Sequence, residues 1–403
     1  MAEGPLAGLF VTEVANYIAA PAAGAMLAEL GARVVHVEPL GGDPYRGFRL
    51  GLSGFGAAEG GEELAFQIDN RGKESIALDL RSEQGQKILH RLLAQSDVLV
   101  TNFADSQLEQ MGLAPSQIGQ AYPRLIYART NGYGFRGPDR EAESFDLGAF
   151  WARGGLLQGL AFGDTLPQPR PGVGDHATAI SMVAGIALAL LVRERTGQAH
   201  PVRTSLLDTA LWMNSLDIAG AAFYRRPPEQ RQGGSLPLIS AYRTADGRRI
   251  YLQVTHEAGW RALCEALGHP EWTEDERFQG LGRRRRNAAE LRALLTPVLA
   301  AKTLAELQDL FRQFGVPTAT VNNAFDIVTD EQVLANGHLH LQQVEDGQLA
   351  IVGVPFEVGE HWGRSEPTRA PGHGEHSELL LLELGFDWDE VAALRDAGVV
   401  GPA

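Results

Sequence analysis

Leu9-Phe-Val-Thr-Glu-Val14, Ala22-Ala-Gly-Ala-Met-Leu-Ala-Glu-Leu30 and Arg33-Val-Val-His-Val-Glu38 decide the fold class. The outer two are apolar runs of strand length, and the middle one is a helix of small residues ended by Gly31, so the three form a βαβ unit. After a Gly-rich loop from Gly41 to Gly61 the alternation resumes. Ser75-Ile-Ala-Leu-Asp-Leu80 reads as a strand, Ser82 as the cap of a helix carrying Ile88, Leu89, Leu92 and Leu93 on one face, and Asp97-Val-Leu-Val100 as the next strand. Leu125-Ile-Tyr-Ala-Arg129 adds another. Parallel strands need crossover connections, and helices of this length supply them. The expected fold is therefore α/β, with a large Rossmann-like, mostly parallel sheet covered on both faces.

The character of the chain changes near Arg225-Arg-Pro-Pro-Glu-Gln-Arg-Gln-Gly-Gly234, a Pro-, Gly- and charge-rich stretch. Beyond it, Ile239 to Thr244 and Arg249 to Val254 flank Asp246-Gly247, a hairpin signal. Helices are expected at about 256–267, 287–301 and 303–314, followed by a short strand over Pro317 to Val321. Residues 225–335 are thus expected to form a small α+β domain, inserted into a large one made of 1–224 and 336–403. Two amphipathic helices, Glu378 to Leu384 and Trp388 to Asp396, close the chain.

Composition narrows the function without naming it. The 403 residues are 44% hydrophobic and 21% charged, the balance of a folded globular protein. Acidic groups (50) outnumber Lys plus Arg (35), a net charge of -15, so no global field draws nucleic acid or anionic lipid. Cys264, the single cysteine, cannot form an intrachain disulfide and lies on the apolar face of an expected helix. The N-terminus lacks a basic region before its apolar patches, and a cytoplasmic protein is expected. The apolar run Ile180 to Val192 is shorter than a membrane span and reads as a buried helix.

Several local patterns resemble known chemistry and fail on inspection. Glu38 ends a second strand, where a dinucleotide-binding fold places a ribose-binding acid. The first turn, Ala15-Asn-Tyr-Ile-Ala-Ala-Pro21, nevertheless lacks the glycines that let a backbone approach pyrophosphate. Arg283-Arg-Arg-Arg286 follows Glu271, Glu274, Asp275 and Glu276 and reads as a solvated helix start. His373-Gly-Glu-His376 has no third clustered ligand, so no metal is expected. The informative stretch is Pro169-Arg-Pro-Gly-Val-Gly-Asp175, immediately before the helix Ala177 to Arg193. Asp175 stands where an N-cap belongs. A carboxylate there, preceded by glycine and kept ionised by the helix dipole, is equally able to act as a covalent nucleophile.

Taken together these segments resemble the class III CoA-transferase family, which includes formyl-CoA and carnitine CoA-transferases and a branch of α-methylacyl-CoA racemases. The resemblance runs through Pro5-Leu-Ala-Gly8, Ile18-Ala-Ala-Pro21, Leu30 to Glu38, Gly42-Asp-Pro-Tyr-Arg46, Asn70 to Asp79, Asp97 to Phe103 and Gly132 to Pro138. It continues in Arg195-Thr-Gly197, Ser205-Leu-Leu-Asp208, Arg369 to His376 and Leu382-Glu-Leu-Gly385. By that resemblance Asp175 is the catalytic aspartate, Asp146 orients substrate, and Gly233 and Gly234 belong to a glycine loop that closes over the site. Ile18, Ala19, Leu78, Arg81, Asn102 and Phe103 would line the CoA site.

The resemblance implies CoA transfer from an acyl-CoA thioester to a free carboxylic acid, through aspartyl anhydride and aspartyl-CoA intermediates. It implies a CoA thioester as substrate, no prosthetic group, and an interlocked homodimer. Two departures qualify it. Pro39 and Gln110 stand where the family carries arginine, so Arg46, Lys73 or Arg136 would have to meet the CoA phosphates. The racemase branch has a proton-transferring histidine where this chain has Phe145, which cannot exchange a proton. Asp146 to Gly155 is closer to the branch handling 2-hydroxy and aryl acids.

Overall fold

In the computed structural model of the chain, which describes residues 4–48, 63–228, 236–344, 347–359 and 368–401, six strands form one sheet. They are β1 (Phe10–Val14), β2 (Arg33–Glu38), β3 (Glu74–Ala77), β4 (Val98–Thr101), β5 (Ile126–Asn131) and β6 (Val202–Ser205). The order is β3-β2-β1-β4-β5-β6 with every pair parallel. The order reverses between β1 and β4, and in open α/β sheets the crevice beyond the carboxyl ends of such strands is the ligand site.

Strand side chains alternate between the two faces, and both faces are buried. Val11, Val34, Val98, Val100 and Ile126 pack on one face with Ala23 and Leu27 of α1 (Ala19–Glu29) and with Met182 and Ile186 of a long helix. Val35, Val37, Leu99 and Tyr127 pack on the other with Ile88, Leu89 and Leu92. The tail helices cover this second face through Leu380, Leu381 and Val391. Between β2 and β3 lies α2 (Leu64–Asn70), a short helix the sequence reading did not expect. Next come α3 (Glu83–Leu93), α4 (Asp105–Gln110), α5 (Pro115–Ala121), α6 (Leu156–Gly159), α7 (Val173–Thr196), α8 (Leu206–Met213) and α9 (Ser215–Tyr224).

The residues separate into two compact units. The sheet belongs to the one made of Met1–Gly159, Pro167–Pro228 and Gln332–Ala403. The other, Leu160–Leu166 with Glu229–Glu331, contains an antiparallel sheet of β7 (Ile239–Arg243), β8 (Arg249–Gln253) and β9 (Thr318–Thr320). Its core gathers Trp260, Leu263, Phe278, Leu291, Leu295 and Phe311, and Cys264 is fully buried there, its thiol pushed up to about 12 by burial. Within the arginine run Arg284 departs from a solvated reading. It is buried against Trp260, bonded to Glu257 and to the Phe278 carbonyl at 2.9 Å. A second unexpected element, the hairpin β10 (Leu339–Val344) and β11 (Gly347–Val352), lies in the large unit.

The helix α7 corrects another expectation. It runs from Val173 to Thr196 rather than from Ala177 to Arg193, is long and apolar enough to cross a membrane by length and composition, and only 33% of its most apolar stretch is buried, against the expected buried helix. One side packs on α1, β5 and β6, while Ile180, Leu188 and Leu191 remain exposed.

Beneath the carboxyl ends of β1 and β2 runs a buried polar chain. Lys73 Nζ donates to Glu13 Oε1 at 2.7 Å, to the Pro21 carbonyl at 2.8 Å and to Asn70 Oδ1 at 2.7 Å, all out of solvent. Glu13 Oε1 also meets His36 Nδ1 at 2.8 Å. Glu13 Oε2 abuts α1 at Gly24, where a Cβ would lie 1.8 Å from it. Removing one member of such a pair strands the other charge in low dielectric, at a cost of about 3–5 kcal/mol. Lys73→Met should therefore lower the urea midpoint sharply, and Glu13→Gln in the same chain should restore part of the loss; equal midpoints for Lys73→Met and the parent would show that Lys73 does not neutralise Glu13.

Candidate active site

The site forms where the loop after β1, the loop after β4 and the N-terminus of α7 meet. Asn102, one residue past β4, donates through Nδ2 to the Asn16 carbonyl at 2.7 Å and accepts from the Asn16 N–H at 3.1 Å. Its amide is thereby spent on tying the two loops across the crevice. Ile18 begins α1 and Ala19 is buried in its first turn. Ile18 Cδ1 lies 3.8 Å from where a Cβ on Gly172 would stand, which brings this loop to the start of α7.

Gly172 is the N-cap of α7, in the left-handed region at φ +91°, and Asp175 is the third residue inside the helix. Asp175 is therefore not the cap. The capping is done from outside by Asp146: its Oδ2 accepts from the Gly172 N–H at 2.8 Å and its Oδ1 from the Gly174 N–H at 3.0 Å. Those are donors a helix start leaves orphaned. Gly174 is required by this closeness, since a Cβ there would stand 2.2 Å from Asp146 Oδ1 and 2.3 Å from Phe150 Cγ. With the cap supplied by another chain segment, the Asp175 side chain makes no hydrogen bond to any of the described residues.

The ionisation of Asp175 also differs from the expectation that the helix dipole keeps it charged. Burial, the like charge of Asp146 and that of Asp69 push it up to about 7, against a lowering by His176. The residue is half-buried, and partial loss of water together with a neighbouring like charge disfavours the charged carboxylate. Asp146 is raised as well, by burial, which its two backbone hydrogen bonds partly offset.

A second layer, absent from the sequence reading, surrounds this pair. His176 Nε2 lies 2.8 Å from Asp69 Oδ1, and Tyr45 donates its O–H to Asp69 Oδ2 at 3.0 Å. Asp69 sits at the end of α2 immediately before the Asn70 to Asp79 motif, and His176 follows Asp175 directly, so adjacency to motifs was the signal available. On the open side Tyr17 (40% exposed) and Phe145 (53% exposed) meet edge to face with centroids 5.8 Å apart. Tyr17 is held at φ 64°, and its N–H reaches Asp43 Oδ1 at 3.4 Å.

Other expected residues are placed differently. Leu78 is buried in the core behind β3, and Phe103 packs partly buried against the same cluster. Arg81 is exposed and paired with Asp79 at 3.1 Å. Gly233 and Gly234 lie outside the described residues. Of the three cations considered for phosphate, Lys73 is buried on Glu13, and Arg46 forks onto Glu38 with both bonds at 2.8 Å. Burial alone would raise Glu38; this fork, the His36 charge and the Ser75 hydroxyl hold it at about 2, so it is not free to bind a ribose. Arg136 is exposed. His376 Nδ1 accepts from the Ser75 N–H at 3.2 Å, tying the tail to β3. No cluster of three potential metal ligands occurs among the described residues.

Comparisons with known proteins agree with this architecture. The chain matches the profile of CoA-transferase family III over residues 6–377 and belongs to that family. It is 31% identical over 397 residues to the (R)-2-hydroxy-4-methylpentanoate CoA-transferase of Clostridioides difficile, covering 98% of this chain and 99% of that protein. It is 32% identical to the cinnamoyl-CoA:phenyllactate CoA-transferase of Clostridium sporogenes, with 96% and 95% covered. The crystal structure of a CAIB/BAIF family protein from Brucella suis superposes with a TM-score of 0.82 at 29% identity, covering 95% of this chain and 100% of that one. The protein is a class III acyl-CoA:carboxylate CoA-transferase.

Removing the Asp146 carboxylate orphans two buried N–H groups and deletes the nearest like charge. Asp146→Ala should cost about 1–3 kcal/mol in urea denaturation. In the same variant the Asp175 carboxyl, followed by carbon-13 NMR, should titrate below the parent midpoint of about 7. An unmoved midpoint would mean that Asp146 does not set the ionisation of Asp175.

Proposed function

We propose that the enzyme moves CoA from an acyl-CoA thioester to a free carboxylic acid by covalent catalysis at Asp175. The observation that carries this reading is a carboxylate at a helix N-terminus, beside the topological switch of the sheet, whose oxygens have no hydrogen-bond partner among the described residues while Asp146 does the capping. Asp175 attacks the donor thioester carbonyl and expels CoA thiolate, giving a mixed anhydride. The thiolate then attacks the Asp175 carbonyl of that anhydride, releasing the donor acid and leaving an aspartyl-CoA thioester. The acceptor carboxylate attacks this thioester and expels CoA thiolate, forming a second anhydride. Thiolate attack on its acceptor carbonyl yields the new acyl-CoA and returns Asp175 as carboxylate. The anhydrides must be kept from water, and the Gly233-Gly234 segment is the proposed cover and oxyanion donor.

The relatives named for 2-hydroxy-4-methylpentanoate and phenyllactate support 2-hydroxy acids with branched or aryl side chains as substrates. The exposed Tyr17–Phe145 pair beside Asp146 supplies an apolar wall suited to them. A racemase reading lacks its histidine, since that position is Phe145. A homodimer is proposed to cover the exposed apolar side of α7 together with Trp212, Leu216 and Phe223 of α8 and α9. A surface of that size on an isolated chain is uncommon without a partner.

Asp175→Ala should abolish exchange of CoA between an acyl-CoA and free acids in a mass-spectrometric screen. Hydroxylamine should trap a derivative on Asp175 in the parent enzyme incubated with acyl-CoA; exchange persisting in the variant would overturn the covalent reading. Light scattering should report two chains per particle, and Phe223→Glu should shift it toward one.

A further inference from the structure

Asp175 and His176 are successive residues in the first turn of α7, about 100° apart around the helix. The His176 ring is fixed by a carboxylate that is itself fixed. Asp69 is buried, with one oxygen accepting from Tyr45 and the other meeting Nε2. An ionised Asp69 is acceptor-only, so Nε2 carries a proton. The ring's Nδ1 stands 3.8 Å from the place of a Cβ on Gly172, on the half-exposed side. Such a carboxylate–imidazole pair fixes ring orientation and favours the charged ring.

We propose that the Tyr45–Asp69–His176 chain is a charge-positioning device, in which Asp69 holds the His176 imidazolium beside Asp175 as the counter-charge under which that carboxylate works. His176 is a positioning residue in this arrangement, and the inference rests on Asp175 being the nucleophile.

The surrounding charges support it. Of the groups acting on Asp175, Asp146 and Asp69 are negative and His176 is the cation. Around His176 stand Asp69 and Asp175, which favour its charge, and Arg71, which opposes it while bonded to Glu29 at 2.8 Å. Burial works against a charged His176, and the two carboxylates outweigh it, so the group is raised. Tyr45 is raised too, by burial and by Asp69, and stays a neutral donor. Lys73, whose charge also feels Asp69, is committed to Glu13. Each turnover discharges and restores the anion at Asp175, and the imidazolium stays in place throughout.

The test is the carbon-13 titration of Asp175 in His176→Gln and His176→Lys. Loss of an opposite charge within about 4–6 Å shifts a carboxyl by about one unit or more. His176→Gln should therefore move the Asp175 midpoint up by about one unit, which at pH 7 is about a five-fold loss of ionised nucleophile that is recovered near pH 9. His176→Lys, which keeps the charge, should hold the midpoint near the parent value. An unchanged midpoint in a folded His176→Gln protein overturns the proposal, and Asp69→Asn provides a second route, since it should lower the His176 midpoint. Hydroxylamine trapping in the parent separates the two ideas. Trapping with an unmoved midpoint sinks the His176 role alone, whereas a moved midpoint without any trapped derivative overturns the nucleophile reading and this proposal with it.

Discussion

One carboxylate, that of Asp146, fixes the start of α7, and the chemistry of the site depends on it. Its two oxygens satisfy the N–H groups of Gly172 and Gly174. An N-cap normally comes from the residue that begins the helix, and then its oxygens are occupied. Here the cap comes from a segment 26 residues earlier in the chain, so the first turn carries Asp175 with its oxygens unused by the described residues. The arrangement demands two glycines for different reasons. Gly172 supplies a left-handed turn at φ +91°, and Gly174 supplies the absence of a Cβ between Asp146 and Phe150.

The same closeness makes the site costly to ionise. Because Asp175 is raised from 3.8 to about 7, the folded protein holds a proton there that the unfolded chain has released between those values. Stability from this group therefore falls as pH rises from about 4 through 7, the reverse of an ordinary salt-bridged carboxylate. The Arg46–Glu38 fork works in the opposite direction. Glu38, held at about 2 by Arg46, contributes stability above the ordinary carboxylate range that is lost only as pH falls toward 2. Glu38 accepts from the Asp43 N–H at 2.9 Å, and Asp43 in turn accepts from the N–H groups of Tyr45 and Tyr17. Stable ionic contacts under the sheet thus hold in place the loop that carries strained Tyr17 and the Tyr45 hydroxyl.

Periodicity made the sheet legible because its strands are buried on both faces and read as apolar runs, Val34-Val35 and Val98-Leu99-Val100 among them. It did not reveal α2 or β6. Leu64–Asn70 is seven residues long with no side-chain cap, and Val202–Ser205 is a four-residue strand containing Arg203 and Thr204, so neither shows a period. The helix start around Asp175 is legible through its glycines, but the cap is Gly172 and not Asp175. Local sequence shows that a helix begins near a carboxylate and cannot show that a distant one is closer to the N–H groups. Asp69 and His176 were illegible for the same reason: 107 residues separate them, and only the packing of α2 brings their side chains together. The exposure of α7 was misread because an apolar run says that a surface needs covering, not that the same chain covers it.

The net charge of -15 bears directly on how a polyanion could be held. Arg46 and Lys73 are consumed by Glu38 and Glu13, which leaves Arg81, Arg136 and other exposed cations to meet the phosphates of the proposed CoA ligand. Exposed ion pairs are each worth at most about 1 kcal/mol and weaken with salt. The proposed reacting end presents a different environment, in which Asp146, Asp69 and Asp175 would repel a carboxylate and His176 would be the compensating cation. On the proposed reading, affinity for a free acid comes largely from apolar contact, with the exposed Tyr17–Phe145 pair as the proposed wall. A bulky branched or aryl acid gains from that wall in proportion to the area it buries, roughly 25 cal/mol per Å². A small acid such as formate buries almost nothing and meets the same repulsion, so on the proposed reading it is the apolar wall, against a uniform repulsion, that favours large apolar acids over small ones.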